Sequence, residues 1–248
     1  MNRFVTSPNA PEGEVTALIC GGLNKTLRDY FHSENIEILY TEKNIKVDSS
    51  VSEHSDLSAL YLGGGRIIID RGQPMLISIL NEKGFSVTET VKSVGGLYPD
   101  DCILNHTIIG RYIIGNSKIF DESVNNECEN LEVIHTNQGY CKCSVLVIDE
   151  KSLITDDESI ASESQKKGID SLLIRKGDIT LNGHEYGFIG GASGKISSSE
   201  VVFFGDVTKH RDYNKIRDFI YARGMKIISF DFPLTDFGGF IPIKENIL

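Results

Sequence analysis

Two short segments combine residue types that can do chemistry. His54 and Asp56 stand two residues apart in HSD (54–56), directly ahead of the apolar stretch LSALYL. The segment GYCKCS (139–144) places Cys141 and Cys143 ahead of the apolar stretch VLVID. A cysteine thiolate is a nucleophile, a histidine can move protons near neutral pH, and a carboxylate can bind a cation. These residues are therefore the first candidates for a functional site.

The same residues also have purely structural interpretations. Free cysteine is among the most buried residue types, so Cys143 can be a small core residue of a strand. His54 can equally hold a strand start through a backbone hydrogen bond. Cys141 and Cys143 do not predict a metal site, because no second close pair and no histidine cluster accompanies them. The glycine-rich segments 63–65 and 189–195 lead into strands and predict turns, not phosphate-binding loops, so the sequence indicates no cofactor.

Charge and cysteine content narrow the class of protein. The 248 residues carry a net charge of −10 at pH 7, which disfavours a nucleic acid or an anionic membrane as partner. No segment approaches the roughly 20 apolar residues that span a bilayer, and the first residues lack the apolar core of a signal peptide. Five cysteines at irregular spacing do not predict a disulfide framework. We expect a cytoplasmic protein with free thiols, and the oligomeric state stays open.

The elements that must position these residues recur about five times along the chain. Each unit has an apolar strand, a second apolar strand, an amphipathic helix and a third strand, and such a period predicts a repeat architecture. The expected leading strands are 56–62, 102–109, 143–149 and 186–192, and the expected helices are 24–35, 74–84, 121–130, 159–168 and 210–224. A doubly wound parallel sheet is the rival α/β fold, but each unit has one strand too many for it.

The first unit lacks its leading strand at the start of the chain. TALIC (16–20) is followed directly by a helix, whereas GGFIPI (238–243) at the other end has no unit of its own. If the C-terminal strand completes the first unit, the chain ends meet and the array closes into a ring. We therefore expect residues 1–14 to form a loosely held N-terminal arm and residues 15–248 to form a single domain.

Five such units in a ring resemble the pentein fold, the five-bladed α/β propeller of guanidino-group-modifying enzymes such as arginine deiminase, amidinotransferases and dimethylarginine dimethylaminohydrolase. The sequence is most similar to an uncharacterised bacterial branch of that superfamily. His54-Ser55-Asp56 resembles the His-x-Asp at a blade start in those enzymes, and segment 139–144 resembles their glycine-led turn that ends in the catalytic cysteine. Cys143 takes the cysteine position two units after His54, a separation that those enzymes share. Because they hold this cysteine near the C-terminus, the resemblance implies a circular permutation.

The resemblance implies a role for each candidate residue. Cys143 would be the nucleophile, and His54 would protonate the departing amine and then activate water. Asp56 would bind a guanidinium, and Asn105 and Asp236 would contact the substrate from other units. The implied partner is a small molecule in a central pocket. The implied activity is that of a cysteine-dependent hydrolase or transferase acting on a small polar C–N substrate of guanidino or amidino type, without cofactor or metal.

Other readings of the same pattern remain open. Gly190 and Gly191 stand where the enzymes supply a further acidic residue. The segment 238–242 also resembles the cysteine turn, with Pro242 in place of the cysteine, and this register would make the protein inactive. The pentein fold also occurs in a translation factor that binds the large ribosomal subunit without chemistry, so a non-catalytic binding or scaffold protein is the alternative function.

Strand alternation further predicts that Cys141 shares the face of Cys143, while Lys142 points away.

Overall fold

The computed structural model describes residues 1–247, and within them sixteen strands form five separate small sheets. In chain order the strands are β1 (Asn2–Phe4), β2 (Glu14–Cys20), β3 (Glu37–Tyr40), β4 (Ala59–Gly63), β5 (Arg66–Ile69), β6 (Ser86–Glu89), β7 (Thr107–Ile109), β8 (Tyr112–Gly115), β9 (Glu132–His135), β10 (Val145–Asp149), β11 (Ser152–Thr155), β12 (Asp170–Leu173), β13 (Ser193–Lys195), β14 (Glu200–Phe203), β15 (Lys226–Ile228) and β16 (Phe240–Asn246).

Six α-helices alternate with these strands. They are α1 (Lys25–Ser33), α2 (Ser55–Ser58), α3 (Pro74–Glu82), α4 (Glu122–Glu127), α5 (Glu158–Lys166) and α6 (Tyr213–Tyr221), with one 3-10 turn at Val207–Lys209. The five predicted helices are confirmed to within a few residues as α1, α3, α4, α5 and α6. No helix of the part of the chain described here is long and apolar enough to cross a bilayer.

Four of the five sheets have the same construction. An antiparallel pair is followed by a helix, and the third strand returns parallel to the second, as in β4-β5-α3-β6, β7-β8-α4-β9, β10-β11-α5-β12 and β13-β14-α6-β15. The predicted unit of strand, strand, helix and strand is therefore confirmed for these sheets, and the fold is a mixed α/β fold.

The remaining sheet joins the two ends of the chain. Strand β16 pairs antiparallel with β2, and β2 pairs parallel with β3, so the C-terminal strand completes the first unit as predicted. Strand β1 adds to the outer edge of β16. The expectation of a loosely held N-terminal arm is therefore wrong for residues 2–4, because backbone hydrogen bonds hold them in this sheet.

Five apolar clusters lie between the units, and each cluster is shared by two neighbouring units. The cluster between the fifth and the first unit, for example, contains Phe31 of the first unit and Val202 and Phe204 of the fifth unit. Successive side chains of a strand point to opposite faces. Accordingly, Ile67 and Ile69 pack against the first unit, whereas Ile68 packs against the third. The central strands are continuously apolar for this reason: each sheet is covered on both faces.

The leading strands begin later than the sequence predicts. Strands β4, β7 and β10 start at residues 59, 107 and 145, whereas the expected starts were 56, 102 and 143. The strand expected at 186–192 is wrong, because β13 begins only at residue 193. The residues ahead of each strand lie in turns or, for 55–58, in the short helix α2. Apolar residues in these segments are buried as they would be in a strand, so hydrophobicity alone could not separate turn from strand.

Candidate functional site

Five segments that precede the leading strands lie together and form the candidate site. We call them the five turns, and they comprise residues 54–58, 102–106, 141–144, 188–192 and 236–239. A hydrogen bond joins each of them to the next and the last to the first: Asn105 Nδ2 to Asp56 O at 3.0 Å, Cys141 N to Asn105 O at 3.1 Å, Gly191 N to Cys143 O at 3.0 Å, Phe237 N to Gly191 O at 3.0 Å and Ser55 Oγ to Gly238 O at 3.1 Å. Residues distant in sequence thereby meet at one place.

A cavity of about 330 Å³ opens above the five turns. His54, Cys143 and Asp236 line its floor, and each is less than a tenth exposed. Its walls are largely apolar and aromatic, formed by Val51, Leu57, Tyr140, Leu181, Tyr186 and Phe188. The volume lies at the lower end of the range of about 300–1,000 Å³ for ligand pockets, which suits a small molecule.

The thiol of Cys143 is held between two side chains. Its Sγ donates a hydrogen bond to Asp56 Oδ2 at 2.8 Å and accepts one from Asn105 Nδ2 at 3.1 Å. The other amide atom, Asn105 Oδ1, accepts from the backbone N–H of Lys142 at 2.8 Å and of Cys143 at 3.2 Å. Asn105 therefore fixes both the backbone and the sulfur of the cysteine. It does not line the cavity, so its geometry is that of a positioning residue and not of a substrate contact.

His54 lies between the two carboxylates of the site. Its Nδ1 is 4.0 Å from Asp56 Oδ1 and 3.9 Å from Asp236 Oδ1. A Cβ at Gly238 would come within 2.5 Å of the His54 side chain, so this turn packs directly against the imidazole. The imidazole therefore packs against the turn of Gly238 and has two carboxylates within 4.0 Å of its Nδ1.

Asp236 is held by backbone donors. Its Oδ2 accepts from Phe188 N at 2.9 Å, and its Oδ1 accepts from Gly238 N at 2.9 Å. A Cβ on Gly191 would lie 2.0 Å from Asp236 Oδ1, so only glycine leaves room for this carboxylate. The glycine where another acidic residue was expected thus makes space for an acid from the neighbouring turn.

Burial dominates the electrostatics of the floor. It raises the pKa of the Asp56 carboxyl to about 6, against the opposing influence of His54. Burial also raises the pKa of the Cys143 thiol well above its ordinary value, and the carboxylates of Asp56 and Asp236 raise it further. The pKa of the buried Lys142 is lowered by burial, although those carboxylates oppose the shift. Burial and both carboxylates therefore disfavour the thiolate of Cys143.

The structure brings together all five predicted site residues: Cys143, His54, Asp56, Asn105 and Asp236. Asp56 is 1% exposed and does not line the cavity, and it belongs to the site through its hydrogen bond with Cys143 Sγ. His54 is the N-cap of α2 and Asp56 lies in the first turn of this helix, so a helical turn holds the two residues close together. Pro242 lies within β16, opposite Leu18, and does not line the cavity.

The prediction that Cys141 shares the face of Cys143 is wrong. Residues 141–144 form a turn, and the sulfur of Cys141 bonds to Gln138 O at 3.1 Å and Thr136 Oγ1 at 3.3 Å, away from the cavity. Lys142 lies outside the cavity lining. Within residues 1–247, no three side chains of His, Cys, Asp or Glu lie close enough together to hold a metal ion.

Sequence reasoning missed the residues of the walls and the mouth. Tyr140 stacks near Phe188 with ring centroids 6.4 Å apart, and its hydroxyl donates to Asp101 Oδ2 at 2.6 Å. Tyr140 lies within the GYCKCS segment, so its proximity to the cysteine was a usable signal. Asp48, Asp101, His184 and Glu185 reach the mouth from loops with no recognisable motif.

Comparisons with solved structures identify the fold. The amidinotransferase SxtG of the saxitoxin biosynthetic pathway of Microseira wollei is 12% identical and has a TM-score of 0.61, with 98% of each chain covered. The agmatine deiminase of C. jejuni is 13% identical, with a TM-score of 0.54 over 93% of this chain and 91% of that one. The DDAH of Pseudomonas aeruginosa, complexed with citrulline, is 10% identical, with a TM-score of 0.54 over 88% of this chain and 92% of that one. All three are pentein proteins, so the resemblance to that superfamily is confirmed at the level of the fold.

Comparison of the sequence gives the family. No curated protein matches it. A family model described as "Family of unknown function (DUF6873)" matches residues 18–241, which include the five turns and every residue of the floor. The chain therefore belongs to the DUF6873 family, and its fold is that of the pentein superfamily.

Proposed function

We propose that this protein is a cysteine-dependent hydrolase or transferase that cleaves a C–N bond of a small guanidino or amidino cation. One observation carries the proposal: a thiol, an imidazole and the Asp236 carboxylate line the floor of a single cavity, and a second carboxylate, that of Asp56, lies 2.8 Å from Cys143 Sγ. The aromatic walls suit a planar group, and the Asp236 carboxylate suits a positive charge. The pentein fold of amidinotransferases and deiminases supports the same class of activity by analogy.

The substrate itself activates the nucleophile in this proposal. Burial and two carboxylates disfavour the thiolate of Cys143. A guanidinium bound against Asp236 neutralises the charge of that carboxylate and adds a positive charge beside the sulfur. Both changes favour the thiolate, and the proton of the thiol passes to the Asp56 carboxylate that already accepts it.

The two chemical steps then use His54. The thiolate forms an S–C bond to the planar carbon, and the C–N bond breaks as His54 protonates the departing amine. In the hydrolase, neutral His54 removes a proton from water, the new C–O bond forms, and the S–C bond breaks to restore the thiol. In the transferase, an amine takes the place of water. No cofactor or metal takes part in these steps.

The arrangement of the units is part of the proposal. Five sheets arranged as the blades of one closed propeller would place the five turns around a central pocket. The apolar cluster between the last and first units and the hydrogen bonds that join all five turns support this arrangement. The five buried, free cysteines fit a reducing compartment, so we propose the cytoplasm as the location.

Two alkylating reagents of the same size test the proposal. 2-Chloroacetamidine is a cation, whereas 2-chloroacetamide is its neutral counterpart, and both alkylate thiolates. We expect the cation to modify Cys143 at least about tenfold faster than the neutral reagent, because it binds to the Asp236 carboxylate in the cavity before it reacts. Mass spectrometry of peptides locates the modification, with Cys143→Ala as the negative control and Cys141→Ala as the matched variant.

The same proteins are then incubated with a panel of small guanidino and amidino compounds, and released ammonia or amine is measured. Turnover that Cys143→Ala abolishes and Cys141→Ala retains supports the enzyme. Equal rates of both reagents at Cys143, together with no turnover of any compound, would refute it. That outcome would leave the alternative, a non-catalytic pentein-fold binding or scaffold protein.

A further inference from the structure

We infer that the cavity selects a substrate with a second positive charge at the end remote from the guanidino or amidino group, and that it rejects substrates with a carboxylate there. The inference rests on the proposed function only for the identity of the group on the floor. The preference for a second positive charge rests on the charged residues along the cavity, from the floor to the mouth.

The floor accepts one cation. Asp236 lines it, and the carboxylates of Asp236 and Asp56 both lie within 4.0 Å of His54 Nδ1. Asp56 Oδ1 is a buried oxygen without a hydrogen-bond partner among residues 1–247. An ionised carboxylate oxygen in this position costs free energy unless a donor reaches it. A planar cation with several N–H groups provides such donors.

The mouth of the cavity is acidic as well. Asp48, Asp101 and Glu185 line it, and the side chains of Asp48 and Glu185 are exposed there. Asp101 Oδ2 accepts from the Tyr140 hydroxyl, whereas its Oδ1 is buried and has no partner in the described part of the chain. His184 contacts Ser50 Oγ at 2.9 Å and lies 3.9 Å from Asp48.

No lysine or arginine belongs to the lining within residues 1–247. The carboxylate of an amino acid substrate would therefore meet three acidic side chains and no permanent cation. Between the floor and the mouth, the walls present Leu57, Leu181 and Phe188. This order of acidic floor, apolar walls and acidic mouth suits a molecule with a guanidino group, an apolar spacer and a terminal ammonium.

Three probes with the same guanidino group and four-carbon chain test the inference. They are 1-(4-aminobutyl)guanidine, 1-butylguanidine and 4-guanidinobutanoate, which end in an ammonium, a methyl group and a carboxylate. Isothermal titration calorimetry with the full-length Cys143→Ser protein measures binding without turnover. We expect the ammonium probe to bind at least about tenfold more tightly than the methyl probe, and the carboxylate probe at least about tenfold more weakly. Salt should reduce both differences, since the mouth is exposed.

A double variant at the mouth separates charge from shape. Asp48→Asn with Glu185→Gln should reduce the preference for the ammonium at least about threefold and leave the affinity for 1-butylguanidine unchanged. Glu82→Gln with Glu129→Gln removes the same charge elsewhere on the surface and should change neither. Equal affinities for the three probes, or no binding of any of them, would overturn the inference.

The binding and turnover measurements distinguish failure of the inference from failure of the proposed chemistry. Preference for the ammonium probe, with no turnover by the wild-type protein and equal alkylation rates of the two reagents at Cys143, would retain the inference and refute the proposed chemistry. Turnover of the methyl and carboxylate probes at the rate of the ammonium probe would retain the chemistry and refute the inference.

Discussion

Replacing Asp56 by asparagine should accelerate alkylation of Cys143 by a neutral reagent. Asp56 accepts the proton of the thiol at 2.8 Å, and its charge contributes to the raised pKa of that thiol. Asparagine keeps the shape but removes the charge, so the thiolate no longer forms beside a carboxylate. The pKa of the thiol should fall, although burial still holds it high.

The magnitude follows from the distance. At 2.8 Å, Coulomb's law gives about 1.5 kcal/mol in bulk water and about 6 kcal/mol at an effective dielectric constant of about 20. Removal of this repulsion lowers the pKa of the thiol and makes the thiolate easier to form by the same free energy. Because intrinsic nucleophilicity decreases with the pKa, about half of that free energy appears in the alkylation rate. The expected acceleration is therefore about 3-fold to 100-fold.

The assay measures the alkylation rate of Cys143 by 2-chloroacetamide between pH 6 and 9, with peptide mass spectrometry as the readout. Asp236→Asn should cause a smaller acceleration, since Asp236 makes no hydrogen bond to the sulfur, and exposed Asp231→Asn should cause none. A folded Asp56→Asn protein that reacts with the neutral reagent at the wild-type rate, or more slowly, would refute the reasoning.

Two further predictions concern stability and the packing of the site. Burial raises the pKa of Asp156 to about 7, so the folded state holds this proton more tightly than the unfolded state, and stability falls as the pH rises from about 4 to about 7. Asp156→Asn should therefore stabilise the protein by about 2–4 kcal/mol at pH 8 and by less at pH 5, measured by urea unfolding. Asp157→Ala should instead lower the free energy of unfolding by about 1 kcal/mol at both pH values, because Asp157 Oδ1 caps α5 through the N–H groups of Ser159 and Ile160. An effect of Asp156→Asn that does not depend on pH would contradict the argument. Gly191→Ala places a Cβ 2.0 Å from Asp236 Oδ1 and should displace that carboxylate, so the preference of Cys143 for 2-chloroacetamidine should be lost. Gly183→Ala, whose Cβ meets nothing within 4 Å, should retain the preference. An unchanged preference in Gly191→Ala would show that Asp236 does not bind the cation.

Local patterns were enough to predict the units. The apolar stripe of α3, with Leu76 and Leu80 buried and Met75 exposed, follows from helical periodicity. The continuous apolar run 67–69 marks a strand covered on both faces. The strand at 238–243 could be assigned to the first unit because that unit visibly lacked one. These inferences depend on neighbours in sequence, and side-chain periodicity reports such neighbours directly.

The positions of turns within the apolar segments were harder to predict. The leading strands were extended into 56–58 and 143–144, and the expected common face of Cys141 and Cys143 followed from that error. Buried turns are as apolar as strands in this protein, and their hydrogen bonds go to other units, as in the bond from Cys141 N to Asn105 O. Such bonds depend on residues far away in the sequence.

The sequence by itself determined the repeated unit, the closure of the first unit by the C-terminal strand, and the candidate residues. Only the tertiary structure decided that Cys143 meets Asp56, that Asn105 positions the cysteine instead of facing the cavity, and that Gly191 makes room for Asp236. It also decided that the thiolate of Cys143 is disfavoured, because burial and charge are properties of the folded surroundings. Residue types indicate which chemistry is available, whereas distances and desolvation in the fold determine which groups can carry it out together.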